Sequence, residues 1–141
     1  MKSRSKEEAA PPSARYTSTV KLVEDALPAA ASIRTFQQSG TPGVFNMGVG
    51  SASVIHADGY LLTNDHVVSG VAQGEVILPG RPPFPFKTIA AMSSEDMALI
   101  KVEAGEPLDV LRLGRSHDLM LGEPVLTIGN PGGLTHSVST G

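Results

Sequence analysis

Ala57-Asp58-Gly59-Tyr60-Leu61-Leu62-Thr63-Asn64-Asp65-His66-Val67-Val68 is the stretch on which the fold turns. His56-Ala57-Asp58-Gly59 has the composition of a tight turn, with glycine where a positive φ is needed. Residues 60–63 resume a strand, so residues 50–63 read as one β-hairpin. The strand ends in a short polar turn that presents His66, and Val67-Val68 re-enters the core. Apolar residues on both sides hold the imidazole rigidly at a strand end. A general base needs that placement, with an ordinary pKa near ~6.5 and hydrogen-bond reach of the proton it takes. Taken without the rest of the chain, a structural histidine fits the same context equally well.

Outward from this hairpin, short extended segments recur. Residues 29–36 alternate weakly, and residues 47–55 are rich in glycine and small side chains before turning apolar. Further strands are expected at residues 75–78, 84–91 and 97–102. Turn clusters separate them: Pro79-Gly80-Arg81-Pro82-Pro83 and Ser93-Ser94-Glu95. About six closely spaced strands with such turns predict a small antiparallel barrel, hence an all-β fold. Before it, Val20, Val23 and Leu27 stand at helical spacing over residues 17–27. Thr17, Ser18 or Thr19 is available as a cap, and Pro28 stops the helix. Residues 1–16 are polar, charged and proline-containing, and read as a disordered arm. Beyond residue 113 come loops, a buried-type strand at residues 125–128, and a final extended stretch.

Composition narrows the function classes. The net charge is −3 with no basic stripe, which argues against nucleic-acid binding. With no cysteine among 141 residues, disulfide frameworks and thiol nucleophiles are excluded. No apolar run is long enough to span a bilayer. The opening MKSRSKEEAAPPSAR lacks the apolar segment of a signal peptide. The expected compartment is therefore cytoplasmic as written, or the bacterial envelope and periplasm if the true start lies upstream. No cofactor is expected, and no metal: no two histidines have the i, i+4 spacing of a helical zinc site. His56, His117 and His136 sit in turn, loop and terminal contexts and read as solvated side chains.

Asp96 is the natural partner of His66. It immediately precedes the apolar Met97-Ala98-Leu99-Ile100-Lys101-Val102. A carboxylate there can be drawn into the barrel to hydrogen-bond the inner imidazole nitrogen, fixing the tautomer and stabilising the imidazolium. Local sequence alone allows a turn-capping aspartate just as readily.

Five collinear blocks resemble the HtrA/Deg branch of the trypsin-like serine proteases. They are residues 19–35, Gly48-Val49-Gly50-Ser51 with the strand after it, the histidine block above, residues 96–102 and residues 113–141. The histidine block is similar to a "DGYILTNNHVV" segment, and residues 96–102 to a "DLALIKV" strand. The resemblance implies two six-stranded barrels with the active site between them. The chain would hold the first barrel (residues 17–113), then a linker and the first strand of the second (residues 114–141). It also implies that His66 is the general base and Asp96 its orienting carboxylate, with polypeptides as substrates in protein quality control, and a homo-oligomer, trimeric in the family. The proline-rich PGRPPFPF at residues 79–86 departs from the family's usual turn there.

The family's nucleophile lies in a Gly-Asn-Ser-Gly-Gly segment, and no such segment occurs here. Gly132-Gly133 follows Pro131, and Ser116, Ser137 and Ser139 have other neighbours. The expectation is therefore a protease fragment, truncated before the serine and the oxyanion hole and inactive alone. The alternative is a non-catalytic half-protease module that binds a partner protein. An unrelated barrel with structural His66 and Asp96 is a third reading, and the order of the blocks argues against it. In the first reading the strand near residues 121–129 has lost its partners, leaving an aggregation-prone edge.

Overall fold

Alternation along short strands makes the core. In β6 (Met97–Val102) every second side chain, Ala98, Ile100 and Val102, is buried. The same period brings Ile33 of β1 (Ala30–Gln38), Val54 of β2 (Phe45–His56), Leu61 of β3 (Tyr60–Thr63) and Val76 of β4 (Gln73–Ile77) to full burial. β5 (Phe84–Met92) turns Phe84 and Phe86 towards this cluster. Full burial of each of these Val, Leu and Ile side chains contributes roughly 1.5–3 kcal/mol relative to an exposed one. The structure, a computed structural model, describes residues 13–129 and 137–141. The expected disordered arm lies outside the described residues up to position 12, and Gly132, Gly133 and His136 lie outside them as well.

All six expected strands are present and close into an antiparallel barrel in the order β1-β2-β3-β6-β5-β4, with β4 returning to β1. Closure leaves the core strands laterally paired, which is how a small all-β domain removes its edges. The hairpin turn before β3 works as the sequence implied. Gly59 has φ +92°, and a Cβ there would run into the carbonyl oxygen of Val102. The two backbones are joined at that point by the Val102 N–H donating to the Gly59 carbonyl at 2.9 Å. Glycine thus serves both the left-handed turn and the close approach of β6.

The N-terminal helix α1 (Ser18–Ala26) is capped by Thr17, whose hydroxyl oxygen accepts from the Val20 N–H at 3.3 Å. Pro28 falls in the 3-10 turn Leu27–Ala29 that ends it. No residue of α1 is fully buried, and Leu22 stays 57% exposed, so the helix packs less on the barrel than its spacing suggested. Lys21 and Asp25 form a surface ion pair at 2.8 Å, a solvent-screened contact of the kind that adds little to stability.

Residues after the barrel differ from expectation in two ways. The strand β7 (Leu126–Gly129) is paired, not orphaned: it forms a two-stranded antiparallel sheet with β8 (Ser137–Thr140). Val125 and Gly141 close the end of this ribbon with reciprocal backbone hydrogen bonds of 3.0 Å each. Nor is the strand fully buried: Leu126 and Ile128 are half-buried. Val125 is 50% exposed, and the preceding Leu119, Met120 and Leu121 are among the most exposed apolar side chains. With β7 lying beside β1, the ribbon is covered only in part.

Candidate active site

His66 rides on a single helical turn, α2 (Asp65–Val68), entered directly from β3. Thr63, the last strand residue, is buried and donates its hydroxyl to the Ser51 carbonyl at 2.8 Å. Asn64 keeps extended dihedrals, and the chain then curls. On the far side Val68 is buried at 6% exposure, while Val67 lies against β2. That contact is possible because residue 50 is glycine: a Cβ there would stand 2.6 Å from Val67 Cγ1. The apolar pair therefore pins the turn from below, as expected, and leaves the imidazole 71% exposed.

Asp96 comes from the opposite side. It follows the 3-10 turn Ser93–Glu95 and adopts φ 50°, ψ 47°. It is the single non-glycine residue with positive φ among the described residues. Left-handed backbone disfavours most side chains and is best tolerated by Asn and Asp. From this position its carboxylate reaches α2 with both oxygens. Oδ1 accepts the His66 main-chain N–H at 2.9 Å, and Oδ2 lies 2.7 Å from His66 Nδ1. The Asn64 amide donates to the Asp96 carbonyl at 3.0 Å and to Oδ2 at 3.3 Å. Ser93 donates its hydroxyl to Asp65 Oδ2 at 2.7 Å, tying the two turns together once more.

These contacts set the charge state. The main-chain N–H of His66, then its ring, hold the Asp96 carboxyl below the usual carboxylate range against a small opposing effect of burial. An ionised carboxylate only accepts, so Nδ1 carries the proton it shares with Oδ2. In the neutral ring the remaining nitrogen, Nε2, keeps a free lone pair. Asp96 is not drawn into the barrel interior as the sequence suggested. Its side chain is 46% exposed and sits on the rim, because the left-handed turn lifts it out before β6 begins. Beside His66 a groove of about 310 Å³ runs along β2, lined in part by Met47, Gly48, Val49, Val67 and Val71.

His56 and His117 make their own contacts elsewhere. His56 Nδ1 accepts the Asp58 main-chain N–H at 3.2 Å within the hairpin turn, and its ring stands edge-on to Tyr60. His117 lies in an exposed 3-10 turn, Ser116–Asp118. Among the described residues no group of His, Cys, Asp and Glu could hold a metal ion, and no helix is long and apolar enough to cross a membrane. Ser137 and Ser139 belong to the exposed strand β8. Nothing in the composition or patterning of the sequence marks Asn64, Asp65 or Ser93 for a role at this site. The available signal was their position, in the two short polar turns that flank the pair.

Residues 50–141 match the family described as trypsin-like peptidase domain. A probable periplasmic serine endoprotease DegP-like from Ectopseudomonas mendocina is 47% identical over 93 residues, 66% of this chain and 19% of that protein. Serine protease HTRA1B from Danio rerio is 38% identical over 131 residues, 90% of this chain and 27% of that protein. Among solved structures, the HtrA-type protease AlgW with tripeptide superposes with a TM-score of 0.78 at 31% identity, covering 88% of this chain and 38% of that one. The chain thus spans about a fifth of the length of the DegP-like relative.

Proposed function

Since this chain belongs to the trypsin-like peptidase domain family, with HtrA-type relatives, we propose that it supplies the general base and orienting carboxylate of a serine endopeptidase. The observation that carries the reading is the two-point grip of Asp96 on His66, at 2.9 Å to the main chain and 2.7 Å to Nδ1. In this chemistry Nε2 of His66 takes the proton of a serine hydroxyl as its oxygen attacks the scissile carbonyl. It then returns that proton to the leaving amine, and the cycle repeats with water to release the acyl group. Asp96 stays ionised throughout, holding the tautomer and stabilising the imidazolium. The substrates are polypeptides.

The nucleophile and the oxyanion-hole donors are the parts these 141 residues do not supply, since they contain no Gly-Asn-Ser-Gly-Gly segment. The 141-residue polypeptide by itself is therefore inert towards peptide bonds. Residues 17–113 act as one folding unit, and residues 114–141 lead into a second barrel. One observation favours the second reading, a module that binds a partner protein or another copy of itself. Leu119, Met120 and Leu121 are 66%, 70% and 106% exposed in consecutive positions, and exposed apolar runs mark protein contacts.

The test is a chimera in which residues 48–113 replace the matching segment of the DegP-like protease of Ectopseudomonas mendocina. Cleavage of unfolded casein is expected, and its loss in His66→Ala and Asp96→Ala versions. A folded chimera that does not cleave casein, or one that cleaves it equally well without His66, overturns the proposal.

A further inference from the structure

The two residues before His66 do something their positions in a helix would not require. Asn64 is the N-cap of α2, and asparagine is among the best residues for bonding the free N–H groups of a helix start. Yet its side chain makes no capping bond. The N–H it would ordinarily serve, that of His66, goes instead to Asp96 Oδ1 at 2.9 Å. Asn64 turns its amide the other way, onto the Asp96 carbonyl at 3.0 Å and Oδ2 at 3.3 Å. The cap and the carboxylate have exchanged partners across the gap between the two turns. Asp65 makes the second tie, accepting the Ser93 hydroxyl at 2.7 Å three residues before Asp96.

From this exchange we infer that Asn64 and the Asp65–Ser93 pair are positioning residues that hold Asp96 in its left-handed conformation and aim its carboxylate at His66. The backbone at Asp96 itself calls for such a hold. Asp96 is the one non-glycine residue held at positive φ among the described residues, so something must select that conformation. The Asn64 amide binds the main-chain oxygen of that same residue at 3.0 Å, which restrains the direction of the backbone there. It binds the carboxylate with the same nitrogen, so backbone and side chain are set together. The Asp65–Ser93 bond holds the start of the 3-10 turn Ser93–Glu95, and Asn64 holds the residue that ends it. With both ends fixed, the carboxylate cannot swing out to water, although it is nearly half exposed.

The role of these residues follows from the assignment of His66 and Asp96 as a base and its carboxylate, but its test needs no turnover. The 141-residue chain is labelled and followed by NMR, reading the low-field Nδ1–H signal of His66 and the titration of the Asp96 carboxyl. Asn64→Ser is the informative variant, because serine caps a helix as well as asparagine and keeps α2 while removing the amide. It is expected to retain the dispersed spectrum of the barrel, weaken the Nδ1–H signal through faster exchange, and move the Asp96 titration to higher pH. Ser93→Ala is expected to act in the same direction and Ser93→Thr to restore the parent behaviour. An Asn64→Ser chain with unchanged signal and titration overturns the inference. So does one that fails to fold, which would make Asn64 a scaffold residue, and so does a Ser93→Thr chain that behaves like Ser93→Ala. These readouts can fail while the chimera cleaves casein, and the chimera can fail while they hold.

Discussion

Replacing Gly50 by alanine perturbs the site from beneath without touching His66 or Asp96. The added Cβ would lie 2.6 Å and 2.8 Å from the two methyl carbons of Val67 and 3.3 Å from its Cβ. Carbon atoms in contact prefer roughly 3.5–4.0 Å, so Val67 must retreat by about 1 Å. Val67 is the residue after His66 on a one-turn helix, and the turn has to move with it. The Nδ1 to Oδ2 distance is 2.7 Å, and hydrogen bonds weaken beyond ~3.2 Å, so such a shift breaks the contact. Overpacking of this kind costs ~1–3 kcal/mol. Urea unfolding should show a lower midpoint with an unchanged slope, and the low-field imidazole N–H signal should disappear. Adding Val67→Ala removes the colliding methyls, so the Gly50→Ala/Val67→Ala chain should be more stable than the sum of the single changes implies and should regain the signal. A Gly50→Ala chain as stable as the parent with its signal intact would refute the reasoning, as would a strictly additive double variant.

Asp96→Asn keeps a residue that tolerates left-handed backbone but cannot ionise. Because the folded-state pKa of Asp96 is depressed, the parent's advantage over this variant should be fully present above the ordinary carboxylate pKa, ~3.9, and vanish as pH falls through the lowered value. Urea midpoints of both chains from neutral pH to about pH 2 check this. Ile100, fully buried in β6, should lose ~2–5 kcal/mol on Ile100→Ala, measured by the same unfolding experiment. The unmodified 141-residue chain should leave unfolded casein intact, and electrophoresis that shows cleavage sensitive to His66→Ala would contradict the reading.

Much of this molecule can be read from the alternation of apolar residues. Residues 97–102 have to bury Ala98, Ile100 and Val102, and six such segments separated by Gly and Pro turns leave few ways to do so other than a closed barrel. His66 was readable for the same reason: apolar neighbours at Leu61, Val67 and Val68 fix where its backbone goes. The side-chain exchange between Asn64 and Asp96 was not, because it joins positions 32 residues apart and depends on one unusual φ angle. Local sequence cannot foresee a left-handed aspartate, and it therefore placed the carboxylate inside the barrel instead of on the rim. Residues 125–128 misled in the other direction. An apolar run looks buried, but β7 is only half-buried beside β1, and Val125 just before it stays exposed.

The bond from the His66 N–H to Asp96 also sets the timing of assembly. A four-residue helix is too short to persist in a free chain, where nucleation of the first turn is unfavourable. α2 takes its missing cap from a residue 30 positions later in the chain. Until that later segment has been made and has closed on the hairpin of β2 and β3, the imidazole lacks the contact that settles its tautomer. The paired geometry of His66 and Asp96 thus waits on a segment made 30 residues later in the chain.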